Sequence, residues 1–151
     1  MRKSRQALIA EMGHAMQAYQ RSTQAFDDAV GRAMGLNPTD LRCLDWLVDG
    51  PKSAGELSAG TGLSSAATTT LIDRLERKGF VHRVRDPGDR RRVLVEMTGD
   101  GGARVGQYYG PLVEEGSGLF TEATDEQLAQ MRDWLVAARE LTDRHRARIR
   151  G

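Results

Sequence analysis

One stretch of this chain runs as a strand, turns and runs back. It reads "FVHRVRDPGDRRRVLVEMT" over residues 80–98. "FVHRVRD" and "RRVLVEMT" are rich in β-branched residues, and Val93, Val95 and Met97 alternate with Leu94 and Glu96, the pattern of a half-buried strand. "DPGD" between them supplies turn chemistry, with Asp86, Pro87 and Gly88 setting the bend. The spacing therefore predicts a two-stranded hairpin, and its tip carries Arg90, Arg91 and Arg92.

The residues before the hairpin read as three short helices. In "NPTD", Asn37 is suited to cap, Pro38 to the first helical position and Asp40 to the positive end of the helix dipole. Leu41, Leu44, Leu47 and Val48 supply a buried side, and "DGP" at 49–51 ends the helix. "SAGE" at 53–56 has capping-box spacing and opens a second short helix with Leu57 inward. After the turn "GTGL", Ser64 caps a third over residues 65–78. Its apolar face is read as Ala67, Leu71 and Leu75 with Ile72 beside them, and Gly79 closes it. Three short helices followed by a hairpin describe a winged helix-turn-helix.

Both ends of the chain read as long amphipathic helices. From Ser4 to about Met34 the apolar residues Leu8, Met12, Met16, Tyr19, Phe26 and Val30 fall on one face, and Gly35 ends the run. Thirty such residues span roughly 45 Å, long enough to pack against something besides their own core. After Thr98, residues 100–120 carry Val105, Tyr108, Tyr109, Leu112 and Val113 among many glycines. Gly110-Pro111 predict a kink or a break there. "TDEQ" at 124–127 is another capping box, and Leu128, Met131, Leu135, Ala138 and Leu141 form a last stripe. The fold class expected is mainly α with a small β-hairpin. A winged helix-turn-helix over 35–98 is flanked by dimerisation helices over 1–34 and 99–151.

Charge points to what this arrangement could bind. The formal net charge is only +1, so attraction to a polyanion has to come from a local patch. Between Arg74 and Arg92, eight cations face Glu76, Asp86 and Asp89, a local surplus of five. A helix fits the major groove, and residues in its N-terminal half reach base edges. There the third short helix offers Ser65, Thr68, Thr69 and Thr70, with Arg74 one turn further and Ser64 as cap and possible contact. The arginines at the hairpin tip suit a narrow, electronegative minor groove. Asp89 stands next to two of them and is expected to orient one guanidinium.

The segment "SSAATTTLIDRLERKGFVHRVRDPGDRRRVLVEMTGDG" resembles the DNA-binding core of MarR-type transcriptional regulators. The matching features are Leu75 to Gly79 at the end of the recognition helix, Asp89-Arg90-Arg91 in the wing, and Met97-Thr98 before Gly101, with Met97 where the family usually has leucine. The order of elements resembles the family over nearly the whole chain. The resemblance implies a homodimer whose end helices interlock and whose two wings reach successive grooves of a pseudo-palindromic operator in double-stranded DNA. It implies a regulator, expected to be a repressor, released by a small aromatic or phenolic effector. By position, Tyr19, Arg42, Trp46 and Tyr108 are the candidates to line the effector cleft.

Other classes find less support. A winged module that binds protein rather than DNA would suit a neutral wing, and this wing is not neutral. No nucleophile–base pair or phosphate-binding glycine loop points to an enzyme. His14, His82 and His145 lack ligand spacing, so no metal or other cofactor is expected. The single cysteine, Cys43, fits a reducing, cytoplasmic setting and is expected to pack in the core rather than sense oxidants. No apolar run approaches the ~20 residues that span a bilayer.

Overall fold

The computed structural model describes residues 3–150, the side chain of residue 150 excepted. Helix α1 is Arg5–Met34, α2 Pro38–Leu47, α3 Ala54–Thr61 and α4 Ser65–Arg77. Strands β1 (Val81–Arg85) and β2 (Val93–Met97) follow, then α5 (Gly99–Ser117), a 3-10 turn (Gly118–Phe120) and α6 (Asp125–Arg150). The chain divides into two compact units between Tyr108 and Tyr109, within α5.

Local chemistry sets the helix ends. Ser4, Asn37, Ser53 and Ser64 cap α1 to α4, each accepting an N–H from the first turn with its side chain. Each such cap is worth about 1 kcal/mol. Full capping boxes form at Asn37/Asp40 and at Ser53/Glu56. Gly35 leaves α1 in the left-handed region at φ 68°, and the N–H of Leu36 donates to the Gly31 carbonyl at 2.8 Å. That conformation suits glycine.

The core of the first unit is the winged domain. Cys43, Leu44, Leu47, Leu57, Leu71, Ile72, Leu75, Phe80, Val81 and Val95 are all buried in one cluster. Helix α1 contributes little to it, with only Val30 and Gly31 buried. On α4 the inward face is Thr68, Leu71, Ile72 and Leu75, while Ala67 is exposed. The sequence reading was thus one residue out. Positions 68, 71, 72 and 75 follow the 3.6-residue period around Leu71 and Ile72, and the period overrides the greater apolarity of alanine.

β1 and β2 pair antiparallel, Val81 opposite Met97 and Arg85 opposite Val93. Val93 is exposed, so only the middle of β2 points inward. Lys52 adds a third, one-residue rung: its N–H donates to the Val95 carbonyl at 3.0 Å, and the Val95 N–H donates back at 2.7 Å. The segment between α2 and α3 thereby anchors the wing.

Helix α5 runs unbroken through Gly110-Pro111 and gives way only at the 3-10 turn. Pro111 and Gln107 are exposed, so water can serve the carbonyl that proline's missing N–H leaves without a partner. In the second unit no described residue of α6 is buried. Leu128, Met131, Leu135 and Leu141 keep between 37% and 59% of their surface exposed. Leu8, Ile9 and Met12 of α1 are similarly bare. Among the described residues, no helix is long and apolar enough to cross a membrane.

Candidate nucleic-acid interface

The N-terminal half of α4 presents a small, uncharged surface. Ser64, Ser65, Thr69 and Thr70 are exposed. The hydroxyls of Thr69 and Thr70 donate to the carbonyls of Ser65 and Ala66, four residues back, at 3.1 Å each. Their methyls and oxygen lone pairs remain available to a base edge.

Thr68 does not belong in this set. It is 1% exposed, and its hydroxyl donates at 2.8 Å to the Ser64 carbonyl, which also accepts the Thr68 N–H at 2.9 Å. Thr68→Val should therefore leave no buried group without a partner. We expect its melting temperature to stay within about 2 °C of wild type and its DNA affinity within about twofold. Thermal melts and anisotropy titrations check both.

At the wing tip, side chains of the turn itself hold the backbone. Asp86 accepts the Gly88 N–H at 2.8 Å, and Asp89 accepts the Arg91 N–H at 3.0 Å. Two Asx turns thus close the hairpin. This corrects the expectation for Asp89, whose carboxylate shapes backbone instead of orienting a guanidinium. A carboxylate two residues before a free N–H reaches it with little loss of entropy, whereas a long arginine side chain has to be immobilised.

The arginines divide into committed and free. Arg83 is held by Asp73 at 2.7 Å and Glu76 at 3.1 Å. Arg92 reaches back to Glu56 at 3.4 Å and to Asp86 at 3.8 Å, tying the wing to the start of α3. Hydrogen bonds from Ser53 hold the Glu56 carboxyl below its ordinary range, and the charges of Arg92 and Lys52 lower it further. Arg74 is paired with Asp40, which is 1% exposed. Arg85 donates to the Arg90 carbonyl at 3.5 Å. Among the described residues, Arg90 and Arg91 are exposed and no acidic side chain holds them. Two missed residues account for much of the difference. Asp73 lies one residue before the basic stretch from Arg74 to Arg92, and Asp40 lies 34 residues from Arg74.

The candidate effector residues are spread over the first unit. Tyr19 is 69% exposed on α1, Arg42 is exposed on α2, and Tyr108 is half-buried on α5. Trp46 is half-exposed and lies flat against α3 at Gly60. A Cβ at that glycine would sit 2.5 Å from the indole.

Cys43 is fully buried. Burial, and then the negative charge of Asp40, push its thiol up to about 12. The native thiol should accordingly be inert to Ellman's reagent at pH 8 and react fully in denaturant. Prompt reaction of the native protein would contradict this. The folded state keeps a proton that the unfolded chain releases above about pH 9, so this group makes stability fall between about pH 9 and 12. Among the described residues, no three His, Cys, Asp or Glu are grouped to hold a metal ion.

Comparisons with known proteins agree with this geometry. A family model described as the MarR family matches residues 34–92. The chain is 37% identical over 129 residues to the HTH-type transcriptional regulator YcgE of Bacillus subtilis, covering 85% of this chain and 84% of that protein. It is 36% identical over 95 residues to the HTH-type transcriptional repressor NicR of Pseudomonas putida, covering 62% of this chain and 60% of NicR. Among solved structures, a MarR family protein from Bacillus stearothermophilus superposes with a TM-score of 0.66 at 21% identity, covering 93% and 99% of the two chains. NadR in complex with 4-hydroxyphenylacetate superposes with a TM-score of 0.61 at 19% identity, covering 83% and 89%. At those identities the two structures speak for the fold alone. The family is one of transcriptional regulators and not of enzymes. With a relative matched over most of both chains, a winged domain of the same fold and cations at its wing tip, this chain belongs to the MarR family of helix-turn-helix transcriptional regulators.

Proposed function

We infer that this protein is a cytoplasmic, homodimeric repressor that binds a pseudo-palindromic operator and leaves it when a small aromatic or phenolic acid binds. The observation that carries the DNA-binding part is the division of cations. Arg90 and Arg91 stand exposed at the wing tip and, among the described residues, unpaired by acids, on the same domain as the bare N-terminal half of α4. The helix offers Ser65, Thr69 and Thr70 to the major groove, with Ser64 at its cap, while the wing arginines enter the minor groove or hold phosphate. Arg92 serves as the strut that holds the wing.

The bare apolar stripes support the dimer. Exposed Leu8, Ile9 and Met12 in one unit, and Leu128, Met131 and Leu135 in the other, need cover that neither unit supplies within itself. A two-fold partner also sets two recognition helices to half-sites ~34–36 Å apart. Residues 1–34 and 99–151 are assigned to that assembly, and residues 35–98 to DNA. NicR is named a repressor and NadR was solved with a phenolic acid. By likeness, Tyr19, Arg42, Trp46 and Tyr108 are assigned to the effector, which would select a lobe spacing that no longer fits both grooves.

The test is a mobility shift on DNA from upstream of the protein's own gene. A specific complex that 4-hydroxyphenylacetate or a related acid dissolves supports the whole reading. A specific complex untouched by such acids removes the effector. No specific complex at low salt sinks the DNA reading and favours a protein-binding module.

A further inference from the structure

Helix α4 ends on Arg74 and Arg77 with Lys78 as its C-cap, and two of these three cations, Arg74 and Lys78, are already held by groups at the α1–α2 corner. Arg74 donates from Nε to Asp40 Oδ1 at 3.1 Å and pairs with the same oxygen through Nη2. The Asp40 side chain is 2% exposed. Its second oxygen accepts the N–H of Asn37 at 3.1 Å, so it also closes the first turn of α2. Lys78, the C-cap of α4 one turn further along, donates from Nζ to the Gly35 carbonyl at the end of α1. That carbonyl lies at the negative end of the α1 dipole, where an ammonium is favoured. Lys78 also accepts, on its own carbonyl, Nη1 of Arg104 from α5 at 3.1 Å.

Positions 74 and 78 lie four residues apart and so share one face of the helix. At these two positions that face is turned to the α1–α2 corner, whereas Thr70, a turn earlier on it, is exposed. Drawing Arg74 out to a phosphate would leave Asp40 buried and unpaired, which is strongly unfavourable. The charge is therefore not available for exchange with DNA counterions.

We propose that Arg74 and Lys78 are positioning residues: they fix the angle of α4 against the α1–α2 corner and neutralise no phosphate. This rests on the DNA-binding reading above. It reassigns Arg74, which the sequence alone placed among the DNA contacts. It also makes α4 report the position of the last turn of α1, since both links end within six residues of each other, at Gly35 and Asp40.

The experiment measures affinity for operator and for random DNA by anisotropy over a series of salt concentrations. The variants are Arg74→Met, the pair Asp40→Leu/Arg74→Met, Lys78→Met and the conservative Arg74→Lys. The paired variant guards against misfolding, because replacing both members of a buried ion pair by apolar groups is often tolerated. The expected result is an unchanged salt slope in the paired variant and in Lys78→Met. Preference for operator over random DNA should fall roughly tenfold, about the loss from one mismatched base pair, and Arg74→Lys should restore part of it. A slope lowered by about 0.9 in the folded paired variant would make Arg74 a phosphate contact and overturn the proposal. So would an operator preference equal to that of wild type, which would leave the pair a merely structural role. Failure of the wild type to bind operator falls on the DNA-binding reading. The link is then judged by thermal unfolding: Arg74→Met and Asp40→Leu should each lower the midpoint by about 10 °C, and the pair by much less than their sum. Additive losses would overturn it.

Discussion

Arg90→Ala/Arg91→Ala should reduce the slope of log affinity against log salt by about 1.8 relative to wild type, about 0.9 for each phosphate contact removed. Both side chains are exposed at the wing tip, and no acidic group among the described residues competes for them. A hydrogen bond to a charged group contributes about 1.5–3 kcal/mol. Allowing for solvent at an exposed tip, the loss is roughly tenfold per arginine at fixed salt. The fold should not register the change. Exposed residues without partners alter stability by about 0.5 kcal/mol or less, a shift of 1–2 °C or so in the midpoint. Arg92→Ala provides the contrast. It removes the ties to Glu56 and Asp86, so it should loosen the wing and lower affinity with a smaller change in slope. An unchanged slope in the double variant would remove the wing tip from the phosphate contacts.

Phe80→Ala should be the most destabilising single change in the winged domain. Phe80 is 0% exposed and joins α4 to β1. Its ring carries the Arg104 guanidinium 3.9 Å above its centre. Its backbone is also the seat of α5: a Cβ at Gly101 would come within 2.8 Å of the Phe80 Cα, and the Thr98 N–H donates to the Phe80 carbonyl at 2.9 Å. Truncating a buried phenylalanine costs about 3–5 kcal/mol, and the cation above the ring adds about 0.5–2 kcal/mol. At about 2–4 °C for each kcal/mol in a chain of this length, the midpoint should drop by roughly 7–28 °C. Arg104→Ala alone should cost far less, because its own partners are a ring face and the Lys78 carbonyl. Calorimetry on the two single variants and the double gives the coupling. A loss below about 3 °C for Phe80→Ala would mean that the α4–β1 junction repacks freely.

How much was legible in the sequence depends on how far apart the interacting groups lie. The capping boxes at Ser53/Glu56 and Thr124/Gln127, the glycine stop at Gly35 and the bend of the wing were readable. In each, a side chain or a backbone angle acts within about five residues of itself, so the chain order alone brings the partners together. The long stripes at the ends were legible for the same reason, since helical period is local. The wing tip was read correctly as a place rich in arginine, but not as a division of labour among the arginines.

What the tertiary structure decided was the partner of each charge and the phase of each face. Asp40 meets Arg74, Arg92 meets Glu56 and Lys52 pairs with Val95 only because the helices and the wing pack. No spacing rule spans 34, 36 or 43 residues. Thr68 lies inward and Ala67 outward because Leu71, Ile72 and Leu75 set the angle at which α4 meets the core. A threonine can follow that angle at little cost, since the carbonyl of Ser64 accepts its hydroxyl. Composition and order thus determined a winged domain between two amphipathic ends. Packing determined which of its cations remain free for another molecule, because a buried carboxylate takes the nearest guanidinium before any solvent-exposed phosphate can.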